Sequence, residues 1–253
     1  MMRGSASDTN DVRARRRSTP PEAAHPSAGT LLLAALAAGG VALIGSLLAV
    51  DEPPRIDRWI RRRTSAPLPR RISKVVAPLF PLGLPGGYIT MSYLLARSLR
   101  RRHRTGGPAI VTAAWAGWLV HRGVKLVFER ERPRRSGQRR RTDSYPSGHT
   151  TGTTALAVTS ERVLLRHGLI SRRQAALIGI GAPVVMGVYR LIDDEHWTTD
   201  VLGGLLLGSS IALTCDELIS GFGGGPRQAT RDRAARSRAA RPRARPARST
   251  SSA

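Results

Sequence analysis

The sequence predicts an all-α membrane protein, a bundle of six transmembrane helices between disordered basic termini. Three observations carry this. Long apolar stretches run almost without charge, although mean hydropathy over all 253 residues is −0.21. The net charge of +24 is concentrated in two tails and a few short loops. The residues best suited to chemistry fall where apolar segments end. The domain plan is a cytoplasmic tail over residues 1–28, a membrane domain over 29–220 and an Arg-rich tail over 221–253.

Residues 1–28 hold too little apolar surface to fold alone. Thr30 to Val50, "TLLLAALAAGGVALIGSLLAV", is uncharged. At about 1.5 Å per residue it crosses a hydrocarbon core of about 30 Å. A cleaved signal would place its apolar core nearer the start, so this reads as a retained span. From Pro54 to Lys74, Ile56, Trp59 and Ile60 sit among arginines, a spacing for a short helix lying in the interface. The second span, Val75–Ala96, carries Pro78, Pro81, Pro85 and Gly86-Gly87, tolerated where neighbours satisfy the freed backbone groups. Pro108–Phe128, Pro146–Leu165, Gln174–Tyr189 and Thr199–Leu218 complete the six. The chain from Gly223 to Ala253, rich in Arg, Ala, Pro and Ser, is again a polar tail.

Six spans put both termini on one side. Basic residues slightly favour the side of the tails, which the positive-inside rule makes cytoplasmic. The expected location is the plasma membrane, with the other face extracytoplasmic. Arginines on that outer side, Arg130, Arg134, Arg135 and Arg139–Arg141, read as headgroup contacts. The C-terminal tail has no aromatic residue for stacking bases after Phe222 and is tethered to a membrane. Anionic lipid is therefore its expected partner, and no specific nucleic acid. Cys215 is the single cysteine, so no intramolecular disulfide exists. Of 41 basic residues only Lys74 and Lys125 are lysines, which draws attention to Lys125.

Three groups reach the outer face in this topology: "KLVFERERP" (Lys125 to Pro133), "YPSGH" (Tyr145 to His149) and "YRLIDDEHWTTD" (Tyr189 to Asp200). Lys125, Arg132 and Arg190 are three cations, enough to neutralise a phosphate dianion. With Pro146 at the first helical position, Ser147, Gly148 and His149 would present free N–H groups at a helix N-terminus, an anion site by geometry and dipole. His196 and Asp200 are four apart and share a helix face. The carboxylate can fix one ring nitrogen and leave the other as nucleophile. This set suits phosphoryl transfer through a phosphohistidine, with His196 attacking phosphorus and His149 protonating the leaving oxygen. The cations are the protein's own, so neither metal nor cofactor is expected. His121, inside the third span, reads as a packing histidine.

Lys125-x6-Arg132-Pro133, Pro146-Ser147-Gly148-His149 and Arg190-x5-His196-x3-Asp200, in this order and spacing, resemble the type 2 phosphatidic acid phosphatase superfamily, over roughly Thr30 to Ser220. The resemblance implies a six-helix membrane fold, an active site facing away from the cytoplasm and metal-independent hydrolysis of lipid phosphates. It implies phosphate binding by Lys125, Arg132, Ser147, Gly148, His149 and Arg190. His149 is then also the acid, His196 the nucleophile and Asp200 its partner. Phosphatidic acid, phosphatidylglycerol phosphate and polyprenyl diphosphates such as the undecaprenyl carrier all stay open as substrates, and the oligomeric state is not set. Tyr189 departs from the family pattern, which has Ser before the Arg. Asp193, Asp194 and Glu195, if close, would raise the pKa of His196 and oppose a dianion. Those departures motivate an alternative, a catalytically impaired relative that binds headgroups or acts as a scaffold.

Overall fold

The structure is a computed structural model that describes residues 26–48, 52–64, 80–133 and 142–223. The basic tails, Lys74 and the arginines of residues 134–141 lie outside the described residues. Within them the secondary structure is helical: α1 (Ala28–Leu47), α2 (Arg55–Thr64), α3 (Phe80–Gly83), α4 (Pro85–Arg101), α5 (Gly107–Val127), α6 (Gly148–Arg166), α7 (Arg172–Ile192) and α8 (Thr198–Gly223). One isolated parallel bridge, Arg130 to Asp143, clips the chain leaving α5 to the chain entering α6.

Three of these helices are long and apolar enough to cross a membrane: Ala28–Leu47, Arg172–Ile192 and Thr198–Ile219. Helices α4, α5 and α6 fall outside that set for reasons visible in their sequences. The first has 17 residues and a basic end. Helix α5 carries His121, Arg122 and Lys125 in its last two turns. Helix α6 is rich in threonine.

Helix α6 sits between α8, α5 and α7, and α1 packs on α8. Its threonines are buried by turning their hydroxyls onto their own helix. Thr151, Thr154 and Thr159 donate to the carbonyls of Ser147, Thr150 and Ala155 at 2.9, 2.7 and 2.8 Å. Close approach uses glycine. A Cβ at Gly152 would meet the ring of Tyr88 at 2.2 Å, and one at Gly208 would meet Thr154 at 2.5 Å. Helix α7 widens to a π turn over Leu177–Gly181, where Ala182 N–H donates to the Leu177 carbonyl. Pro183 follows directly and has no N–H to give to the turn before it.

The ends of α5 and α7 and the starts of α6 and α8 meet at one end of the bundle. At the other end α6 and α8 are held by charge: Arg162 and Arg166 donate to buried Asp216 at 2.7 and 2.6 Å.

Candidate active site

The first turn of α6 is set by the chain before it. Ser147 is the N-cap, so the helix starts two residues later than the sequence implies, and Pro146 precedes it behind a cis Tyr145–Pro146 bond. Ser147 N–H donates to the Asp200 carbonyl at 3.0 Å, and its hydroxyl accepts from Thr150 at 3.0 Å. Ser147 is fully buried and does not line the cavity, unlike the other residues expected to hold phosphate. The amides of Gly148 and His149 begin the helix and have no intrahelical acceptor.

Those amides face a cavity of about 540 Å³, whose wall includes Lys125, Arg132, Gly148, His149, Arg190 and His196. Three sequence-distant motifs thus share one wall. His196 lies nearly buried, with Nδ1 on the side of Asp200, 3.5 Å from Oδ2 and not yet hydrogen-bonded to it, which leaves Nε2 as the nitrogen away from the carboxylate. Asp200 is fixed from several directions. Arg130 donates to Oδ1 at 2.5 Å, and Ser144 Oγ and Trp197 N–H donate to Oδ2 at 2.5 and 2.7 Å. His149 Nε2 and Arg190 Nε are buried without a hydrogen-bond partner among the described residues. Such groups call for a ligand.

Arg130 is not a headgroup contact. It is 8% exposed and joins Asp200 to Asp57 of α2, donating to Asp57 at 2.7 Å and to Thr199 Oγ1 at 2.7 Å. Asp57 in turn accepts from Thr199 N–H at 3.0 Å. Arg61, one turn on, makes a two-pronged pair with Asp194 at 2.8 and 3.0 Å. Helix α2 therefore keeps an exposed face with Ile56 and Trp59 and sends its polar face into the site. Four-residue spacing of Asp57 and Arg61 on an amphipathic helix was the available signal.

The acidic run is spread over three arginines. Asp193 pairs with Arg190 at 2.9 Å, Asp194 with Arg61, and Glu195 with Arg132 at 2.7 Å and Arg190 at 3.6 Å. Arg132 also grips Asp143 at 2.9 Å, and Lys125 donates to the Asp143 carbonyl. Asp194 adopts a left-handed backbone, φ 54°, which turns its neighbours' side chains apart.

The acids do not raise the pKa of His196. Burial outweighs the opposing pull of Asp200, and with the smaller push of Arg132 and Arg190 the pKa falls from 6.5 to about 4. The imidazole is therefore neutral at neutral pH, as a nucleophile must be. Between 6.5 and about 4 the unfolded chain takes up a proton that the native ring refuses. This contribution to stability is full above 6.5 and is lost as pH falls through about 4. Thermal unfolding in detergent should show it: His196→Gln softens the loss of stability over that window relative to wild type.

Tyr189 turns away from the cavity and packs edge-on against Phe80, 6.1 Å between centroids. Phe80 lines the cavity and lies 5.1 Å from the His149 ring, so Tyr189 acts by backing that contact.

A sequence model described as the PAP2 superfamily matches residues 106–219. Among solved structures, the fold is similar to one described as the first transmembrane PAP2 type phosphatidylglycerolphosphate phosphatase, from Bacillus subtilis. The TM-score is 0.64 at 18% identity, over 74% of this chain and 96% of that one. That likeness is one of fold. No curated protein matches the sequence.

Proposed function

Because residues 106–219 match the PAP2 superfamily model, we propose that this chain is an integral membrane phosphatase that hydrolyses lipid phosphate monoesters or diphosphates through a phosphohistidine. One observation carries the reading: His196, backed by Asp200, shares a cavity wall with Lys125, Arg132, Arg190 and the start of α6. His196 Nε2 attacks phosphorus while the three cations and the Gly148 and His149 amides take up the charge on the phosphoryl oxygens. The ester or phosphoanhydride bond breaks, and His149, carrying a proton taken up beside the bound phosphate dianion, gives it to the departing oxygen and takes one back from the attacking water. Water then cleaves the phosphorus–nitrogen bond and releases inorganic phosphate.

In this proposal six helices span the membrane: α1 and α4 to α8. The shorter or more polar ones are shielded by their neighbours. Both termini are cytoplasmic, the site opens extracytoplasmically, and the tails contact anionic lipid. The test is phosphate release from phosphatidic acid, phosphatidylglycerol phosphate and a polyprenyl diphosphate by detergent-purified protein in EDTA. Release that survives EDTA supports the reading.

A second reading, a headgroup-binding relative with impaired catalysis, is favoured by one observation: Asp193 and Glu195 hold Arg190 and Arg132, two of the cations a phosphate would need. It predicts no release from any lipid by a folded protein. Under either reading Glu195→Gln removes a competing anion. It should tighten inorganic phosphate binding roughly 3- to 10-fold, measured by calorimetry or by product inhibition. Weaker binding would show that Glu195 instead orients the arginines.

A further inference from the structure

The cavity wall continues past the phosphate-facing groups, and two of its side chains carry polar atoms that the mechanism does not use. His121 lies one turn before Lys125 on α5 and is 8% exposed. Its Nδ1 is 2.8 Å from the Gly117 carbonyl. A carbonyl only accepts, so Nδ1 carries the hydrogen and the neutral ring leaves Nε2 as a lone-pair acceptor. That Nε2 lies against the start of α6, 2.8 Å from where a Cβ on Gly148 would stand.

Tyr88, on α4, is 1% exposed and also lines the cavity. Its hydroxyl is buried with no hydrogen-bond partner among the described residues. Its ring lies over Gly152, where a Cβ would meet Cζ at 2.5 Å. Gly148 and Gly152 are one turn apart on the same face of α6, so their Cβ positions are about 6 Å apart. One acceptor and one hydroxyl thus flank the helix turn whose first amides face the phosphate-binding cations. A neutral acceptor is a poor neighbour for a phosphate oxygen and a good one for a donor. A buried hydroxyl left unpaired is destabilising unless something bonds it.

We propose that Tyr88 and His121 form a subsite for a hydroxyl group carried by the substrate beside its phosphate, so that the preferred substrates are phosphate monoesters of a polyol headgroup. This rests on the phosphatase reading of the same cavity and sharpens its substrate class. The substrate hydroxyl donates to His121 Nε2 and accepts from, or donates to, Tyr88 Oη. A phosphate ester whose neighbouring carbon bears only hydrogen leaves both atoms unpaired.

The test compares two lipids that differ by one oxygen, 1-acylglycerol 3-phosphate and its 2-deoxy analogue, with wild-type protein, Tyr88→Phe and His121→Phe. Wild type should favour the hydroxyl lipid about tenfold in kcat/KM, and each variant should bring the ratio close to one. A ratio near one in wild type, or a tenfold ratio that survives both variants, overturns the inference. If wild type cleaves neither lipid, the phosphatase reading fails and binding decides the subsite separately. Glycerol 3-phosphate should then raise the thermal midpoint of wild type more than propyl phosphate does, and equally in the variants. Equal stabilisation of wild type by both also overturns it. Tyr88→Phe removes a single unpaired oxygen, so it should fold as wild type does.

Discussion

Replacing His196 with alanine is expected to lower phosphate release by at least about 10⁴-fold, the scale on which removing a covalent nucleophile acts. Phosphate itself should still bind, because Lys125, Arg132, Arg190 and the Gly148 amide line the cavity without help from the imidazole. Acid quenching of wild type during turnover with a radiolabelled phosphate ester should trap an acid-labile, base-stable phosphoryl group on the protein, and His196→Ala should trap none. Retained turnover in the variant would remove the phosphohistidine and leave direct attack by water. Product inhibition by inorganic phosphate separates this from simple loss of the site: it persists if only the nucleophile is gone.

The second large effect falls on Arg130. Arg130→Met strips the shared cation from two carboxylates that are 1% and 0% exposed, Asp57 and Asp200. Breaking one side of a buried ion pair costs about 3–5 kcal/mol, so the variant should unfold well below wild type in detergent. Arg130→Lys should recover little, because one ammonium cannot reproduce a fork that reaches Asp57, Thr199 and Asp200 together. Adding Asp57→Asn to Arg130→Met removes one of the two orphaned charges and should recover part of the loss, a coupling that a double-mutant cycle reads directly. Loss of activity in Arg130→Met with no change in thermal midpoint would place Arg130 at the reacting groups rather than behind them.

Much of the site could be read from the sequence because its chemistry is local in sequence. Lys125 to Arg132, Gly148 to His149 and His196 to Asp200 each fit within eight residues, and each sits at a helix end. The helices containing them followed from apolar length. Missed were groups whose roles depend on contacts across the fold. Arg130 looked like its arginine neighbours, since nothing local distinguishes the guanidinium that turns inward to Asp57. Ser147 was expected to face phosphate, but the cap it forms spends its amide on the carbonyl of Asp200, which is distant in sequence. The acidic run looked like one block of charge; a left-handed residue at Asp194 distributes it to three different arginines. His121 and Tyr88 gave no local sign that they share a wall.

The bonds from α2 set a boundary on what can be exchanged between related proteins. Asp57 and Arg61 lie outside residues 106–219, the segment the superfamily model covers, yet they clasp Arg130 and Asp194 beside the wall that holds His196. A chimera that grafts residues 106–219 onto another N-terminal half inherits two charges whose counterparts stay behind. Its smallest transplantable unit is therefore discontinuous: the helix Arg55–Thr64 has to travel with the motifs, or Arg130 and Asp194 have to be redesigned to suit the new host.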